Sequence, residues 1–190
     1  MDKLHVPGQL PVKGSDGFTL FDRQQEIIYS VSLEDRSVLV IDHTDMVPGD
    51  NEGLILDEEV VEDPDAPMVA GKQPRQVKLR ANGELCAELT VIDGVMEDAV
   101  AALGEMKLAL ARVQAATLDA IPLNMRTPCD LASHVYAPDR HLRFGLPLQE
   151  RSTGRSQSLV DFATDYDAAE GLFVIPGEFG RRPMLAPAPI

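Results

Sequence analysis

Residues 94–120 read GVMEDAVAALGEMKLALARVQAATLDA, and this stretch decides the fold because it is the longest segment with one clear period. Its apolar side chains recur at alternating spacings of three and four, which is the pattern of an amphipathic helix. Asp93 is placed to cap the start of this helix, and Pro122 is placed to end it. The apolar stripe consists of Met96, Ala99, Leu103, Met106, Leu110, Val113, Thr117 and Ala120.

This stripe has two interpretations, a core face that lies on a sheet or a helix contact between subunits. At 1.5 Å per residue, a helix over 94–120 would be roughly 40 Å long, which exceeds the width of a small sheet. Because of that excess length, part of the helix is expected either to project beyond the sheet or to pack against another copy. The candidate interface residues are Met96, Leu103, Met106, Leu110 and Val113, together with Arg181 and Arg182 near the C-terminus.

The first of two predicted β-hairpins covers about residues 26–42. Apolar residues alternate with polar ones from Ile27 onward, and a second apolar run follows a short polar segment. A loop of two or four residues pairs Leu33 with Val38 and gathers the apolar side chains on one face, as a half-buried sheet requires.

The second predicted hairpin covers about residues 76–92 and turns at Asn82-Gly83. A two-residue loop there would place Leu79 on the same face as two glutamates. A three-residue loop with a left-handed Gly83 instead pairs Leu79 with Leu85 and keeps the apolar face intact. We therefore expect the three-residue loop.

The organisation expected from these elements is an α+β core over 25–121, flanked by an extended N-terminal arm over 1–24. An extended, proline-rich C-terminal arm with short elements follows over 122–190, which holds eight of the chain's 14 prolines. Within that arm, Thr127 is expected to cap a short helix. Residues 151–158 are expected to form a linker, and the arginine- and proline-containing end no regular structure.

The charge of the chain is strongly asymmetric. The net charge is −14 overall, with −13 on residues 1–120 and −1 on residues 121–190. A duplex binder needs cationic side chains for the phosphates, so direct nucleic-acid binding is disfavoured. The densest acidic run, 57–65, holds six acids in nine residues and is interpreted as a solvated loop. A partner-facing patch and a calcium site are the alternatives for this run.

Two further features bear on the compartment. Cys86 and Cys129 are too few for a disulfide framework and are predicted to be reduced thiols. The N-terminus has no apolar signal-peptide region, and no apolar run approaches 18 residues. These features predict a soluble protein, virion or cytoplasmic, that does not contact a membrane.

The residues that could carry chemistry are few and poorly clustered. His43 and Asp45 form one candidate pair, and His134 and His141 form another. The sequence contains no nucleophile or phosphate-binding motif of the standard types. We therefore predict no catalytic residues, no metal, no cofactor and no enzymatic activity.

Three hypotheses for the function follow from these expectations. The first is a non-enzymatic structural or interaction subunit of a large assembly, of the kind found in tailed-phage virions as capsid-associated or tail proteins. Its partners would be copies of itself or other subunits. The second is an acidic binding module that imitates nucleic acid and blocks a basic protein. The third is a small enzyme that uses one of the two histidine pairs.

Overall fold

The computed structural model describes residues 3–7, 17–42, 51, 53–164, 166–167 and 171–184, with the backbone alone for 3–7. Within these residues, two β-sheets and one long helix form an α+β fold, as predicted. The strands are β1 (Lys3–Pro7), β2 (Gly17–Asp22), β3 (Ile27–Ser32), β4 (Ser37–Ile41), β5 (Leu56–Glu62), β6 (Arg75–Ala81), β7 (Glu84–Ile92), β8 (Leu146–Ser152), β9 (Arg155–Ser158) and β10 (Gly180–Pro183). The α-helices are α1 (Glu97–Thr117) and α2 (Pro128–Leu131).

The first sheet has the strand order β1-β2-β3-β4-β10. Its three central strands follow one another in the chain and pair antiparallel. Both outer strands come from the terminal segments of the chain, and β10 pairs with β4 in parallel. The expected hairpin over 26–42 is therefore present as β3 and β4, but its predicted register is wrong. Val31 lies opposite Val38, and Leu33 is an exposed turn residue.

The second sheet is an antiparallel meander in the order β5-β6-β7-β8-β9. The hairpin expected over 76–92 is present as β6 and β7, but the predicted three-residue loop is wrong. Ala81 pairs with Glu84 across a two-residue turn in which Asn82 and Gly83 both have positive φ, at 50° and 81°. An Asn-Gly pair adopts this turn at little cost, because both residue types tolerate left-handed backbone.

A β-bulge lies between the pairs Leu79–Ala87 and Arg80–Leu85. It explains how a two-residue turn still places the apolar side chains of both strands on one face of the sheet. The extra residue of β7 at this point is Cys86. A bulge shifts the register by one residue, so Leu79 lies opposite Ala87 rather than Cys86, and it no longer shares a face with the glutamates. Leu79 and Ala87 then join one buried cluster, and Cys86 is itself buried in a second cluster.

The helix α1 begins later than the sequence predicts. Asp93 does not cap it, and Met96 occupies the N-cap position in left-handed backbone without a side-chain cap. Asp93 instead lies 3.5 Å from the guanidinium of Arg75 on β6. At the other end, α1 gives way to a 3-10 turn over Leu118–Ala120, and Ile121 before Pro122 is extended.

One face of α1 packs on the first sheet. Ala102, Met106 and Ala109 form a buried cluster with Phe21 of β2 and Ile28 of β3. Because Ala102 and Ala109 are small, the helix lies close to the sheet, and the larger Phe21 side chain fills the space that remains between them. The stripe from Leu103 to Val113 therefore lies on the core side of the helix, in line with the first interpretation, whereas Thr117 and Ala120 are exposed.

The opposite side of α1 lies against the segment 128–142, which also covers part of the second sheet. This segment starts with α2, capped by Thr127 as predicted, since the Thr127 hydroxyl accepts from the Asp130 amide at 3.1 Å. A π-helical turn over Ala132–Tyr136 and a 3-10 turn over Arg140–Leu142 follow. The long helix thus lies between the first sheet and this irregular layer.

The folded body extends beyond the predicted boundary at residue 121. Residues 151–158, expected to be a linker, form the end of β8, a turn and the strand β9. Beyond Ser158, the described residues contain neither a helix nor a strand until β10. The predicted absence of regular structure at the C-terminal end is wrong for Gly180–Pro183, and proline there is compatible with an edge strand.

Candidate functional site

The strand β10 and the edge of β4 form the candidate interaction site. The parallel register places Gly180 opposite Ser37 and Arg182 opposite Leu39. The Gly180 amide donates to the carbonyl oxygen of Arg36 at 3.1 Å, and the Met184 amide donates to that of Val40 at 2.8 Å. All four residues of β10 are exposed. The strand is therefore held mainly by backbone hydrogen bonds at the sheet edge.

Two arginine–aromatic contacts supplement this backbone pairing. The guanidinium of Arg181 lies 5.9 Å from the ring centroid of Tyr29 on β3. The guanidinium of Arg36 lies 6.0 Å from the ring of Phe179 and 3.6 Å from the carboxylate of Glu178. Exposed contacts of these kinds contribute about 0.5–1 kcal/mol each. These contacts position β10 along the edge of β4, and their contribution to the stability of the fold is small.

The interface residues predicted from the helix occupy different environments. Met106 and Val113 are only 8% and 3% exposed, so their side chains serve the core of the subunit. Leu103 and Leu110 are half-buried against the core cluster that contains Met106. Met96 packs beside a second cluster, around Ile92. By contrast, Arg181 and Arg182 are exposed on β10.

Two ion pairs attach the turn between β2 and β3 to the helix. Both oxygens of the Glu105 carboxylate accept from Arg23, at 2.6 Å from Nε and 2.5 Å from Nη2. Glu26 forms the second pair with Arg112, about two turns further along α1. The hydrogen bond from Arg23 lowers the pKa of Glu105 below its ordinary value. These pairs fix how the first sheet sits on the helix.

The cysteine prediction is wrong, because Cys86 and Cys129 form a disulfide with a Cα–Cα distance of 5.1 Å. The bond joins the bulge of β7 to α2, and it packs among Ala81, Ala132 and Leu56. It removes the argument for a reducing compartment, since disulfides are rare in such compartments. The sequence carried one signal for this bond, an even number of cysteines, but nothing in it indicated that they meet.

Of the two histidine pairs, only His134 and His141 lie among the described residues, and these two do not form a recognisable site. His43 and Asp45 lie outside the described residues. His134 is exposed on the π-helical turn, whereas His141 is half-buried near Glu150 and Lys107. Burial lowers the pKa of His141. In the part of the chain that the structure describes, no group of three or more His, Cys, Asp or Glu residues is placed to hold a metal ion.

The acidic run 57–65 is largely the edge strand β5, so its interpretation as a loop is wrong, although its side chains are solvated as expected. Its carboxylates are partly matched across the sheet, since Asp57 lies opposite Arg80 and Glu59 lies opposite Lys78. Matching of this kind reduces the negative potential that a nucleic-acid mimic needs.

Arg140 is the one buried charged residue among the described residues, at 3% exposed. Its Nη2 donates to the carbonyl oxygen of Arg80 at 2.9 Å, whereas its Nη1 has no hydrogen-bond partner there. Burial lowers the pKa of this guanidinium. Arg140 thereby connects the irregular layer to β6 and not to an open cavity.

A shallow groove of about 220 Å³ lies between α1 and the 3-10 turn over Arg140–Leu142. The polar groups on its rim are already engaged with other protein groups. Glu105 is paired with Arg23, and Asp139 accepts from Arg143 at 3.2 Å. The groove therefore offers no free polar group to orient a substrate.

No protein-family model matches the chain, and no curated protein or solved structure matches it either. Among the described residues, no helix is both long enough and apolar enough to cross a membrane.

Proposed function

We propose that this chain is a non-enzymatic structural subunit of a large protein assembly, such as a capsid-associated or tail protein of a tailed-phage virion. The observation that carries the proposal is the construction of the first sheet. A three-stranded meander forms its centre, and the two terminal segments of the chain supply both of its edges. Extended terminal segments at sheet edges are the elements by which one subunit can hold another.

The exposed apolar side chains of the C-terminal region support the same proposal. Val160 is 88% exposed and Val174 is 64% exposed, and Tyr166 and Met184 are also exposed. A chain alone in water gains nothing from presenting these groups, whereas burial against a neighbour stabilises a complex by about 25 cal/mol per Å². The proposed partners are therefore copies of this chain or other subunits of the assembly.

The net charge and the disulfide bear on the proposed partners and the proposed location. A net charge of −14 opposes direct contact with phosphates, so the proposed partners do not include nucleic acid. A Cys86–Cys129 disulfide is expected to persist on a virion surface more readily than in a reducing cytoplasm. This favours the virion over the cytoplasm as the proposed location.

Limited proteolysis tests the proposal. In the free subunit, β10 is held at a single sheet edge, so trypsin should cut after Arg181 whenever the strand detaches, and intact mass should record the loss of the C-terminal peptide. In the assembled form, separated by size exclusion, the same bond should be protected at least tenfold. A single compact monomeric form that resists cleavage at Arg181 would contradict the assembly role.

A further inference from the structure

We propose that β10 is exchanged between copies, so that Gly180–Pro183 of one subunit occupies the β4 edge of a second copy. This inference rests on the proposed assembly function and names the partner and the surface. Every copy carries both the strand and the edge, so an exchanged strand makes the same hydrogen bonds as it makes within one chain. Exchange of an identical element is a low-cost route to oligomers.

The contacts of β10 are compatible with exchange because they form a self-contained set. Its backbone bonds go to Arg36 and Val40, and its side-chain contact goes to Tyr29. All of these partners belong to the β3–β4 hairpin, and no described residue of β10 contributes to a buried core cluster. Moving the strand to another copy therefore leaves every core cluster of the donor intact.

The connection to β10 is long enough to reach a neighbour. Phe162 packs against the cluster around Ile92 and Leu146, and it is the last described residue before β10 that joins a core cluster. Between these points, the described residues contain no helix or strand. Residues 163–179 in extended form span about 55 Å at 3.3 Å per residue. This reach exceeds the radius of a domain of this size, so the donor body need not overlap the acceptor.

Charge complementarity suits β10 to the β4 edge of a second copy as well as to its own. The exchanged strand carries Arg181 and Arg182, whereas residues 1–120, which contain the acceptor edge, have a net charge of −13. A cationic strand is attracted to the anionic body of either copy. Because each whole copy has a net charge of −14, two copies repel each other, and exchange should be faster at high ionic strength, where this repulsion is screened.

Cysteine cross-linking between differently labelled copies tests the exchange. One copy carries Ser37→Cys and the other carries Gly180→Cys, because these positions lie opposite each other in the parallel register. Gly180 has open space around it and ordinary backbone, so a side chain fits there. One variant bears a mass-shifting tag, which separates the mixed dimer from dimers of a single variant. A matched control replaces Gly180→Cys with Ser156→Cys, an exposed position on β9 of the other sheet.

The expected result is a reductant-sensitive mixed dimer at least tenfold more abundant with Gly180→Cys than with Ser156→Cys. Truncation of residues 177–190 should convert the oligomer to a monomer in light scattering. A mixed dimer no more abundant than the control, or an oligomer that survives the truncation, overturns the exchange and leaves assembly through another surface. A full-length chain that is monomeric at all concentrations also overturns the exchange, and the Arg181 proteolysis then decides the assembly role separately.

Discussion

Removal of the Cys86–Cys129 bond should destabilise the fold by an amount that the topology sets. The bond closes a loop with a sequence separation of 43, and that loop contains the whole of α1. The loop-closure entropy for this separation corresponds to about 4 kcal/mol at 25 °C, because the unfolded chain regains the freedom that the bond removes. For a chain of this size, such a loss lowers the melting temperature by roughly 10 °C.

The assay is urea denaturation followed by circular dichroism, with and without dithiothreitol. The double variant C86A/C129A should show the reduced stability in both conditions, so its insensitivity to reductant isolates the bond from other effects of the reagent. Alanine suits these positions because the neighbouring side chains include Ala81 and Ala132. The free energy of unfolding of the oxidised wild type should exceed that of the variant by about 4 kcal/mol.

Two results would refute this reasoning. A difference below about 1 kcal/mol would mean that the unfolded chain keeps the two segments together without the bond. Alkylation of the unfolded, unreduced protein at both cysteines would mean that the bond does not form in solution. The alkylation result would also remove the disulfide from the argument for a virion location.

Three other predictions concern the helix, the sheet and acid. Gly145→Ala should cost about 3 kcal/mol in chemical denaturation, since the residue has φ of 113° and a Cβ there would lie 2.1 Å from a backbone oxygen. Leu103→Asp should lower the free energy of unfolding by about 2 kcal/mol without changing the oligomer mass. The matched control Leu108→Asp, at an exposed position, should change it by less than about 0.5 kcal/mol. Unchanged stability for both variants would place Leu103 at a subunit interface instead. Acid should destabilise the fold in two stages. The pKa of His141 is lowered in the folded chain, so the unfolded chain binds a proton there first and the free energy of unfolding falls below about pH 6.5. The pKa of Glu105 is also lowered, and its loss of stabilisation begins near pH 4.5. His141→Asn should remove the first stage from a titration of melting temperature, and a curve that still shows it would contradict the assignment.

The local pattern of the sequence predicted the helix and both central hairpins. The period of α1 and the alternation in β3 and β6 are visible in short windows, because they depend on neighbours in the chain. The N-cap of α1 was harder to predict, because Asp93 forms an ion pair elsewhere instead of capping the helix. It lies beside Arg75, and this long-range ion pair competes with capping.

The details of strand pairing could not be predicted, because two arrangements satisfied the same pattern. A three-residue loop and a two-residue loop with a bulge at Cys86 both keep Leu79 on the apolar face. What separates them is Cys129, which lies far along the chain and bonds to the bulged residue. Register is weakly specified by sequence wherever a loop and a bulge can exchange one residue.

The strand that contains Arg181 and Arg182 could not be predicted for a related reason. Its sequence has no apolar alternation. Its four residues are all exposed, so no burial pattern marks them as a strand. These residues form a strand because they pair with the edge of β4, which belongs to a hairpin more than a hundred residues earlier in the chain.

The long helix was expected either to lie on a sheet or to join two subunits, and its surroundings favour the first. One side of α1 packs on the first sheet, and the other lies against the segment 128–142. With both sides engaged within the chain, little apolar surface on α1 remains for a partner beyond exposed positions such as Leu108. The surfaces that remain for the proposed assembly are therefore the sheet edges and the exposed C-terminal region. An assembly built this way would join subunits by backbone pairing, so point substitutions on β10 should weaken it less than removal of the strand.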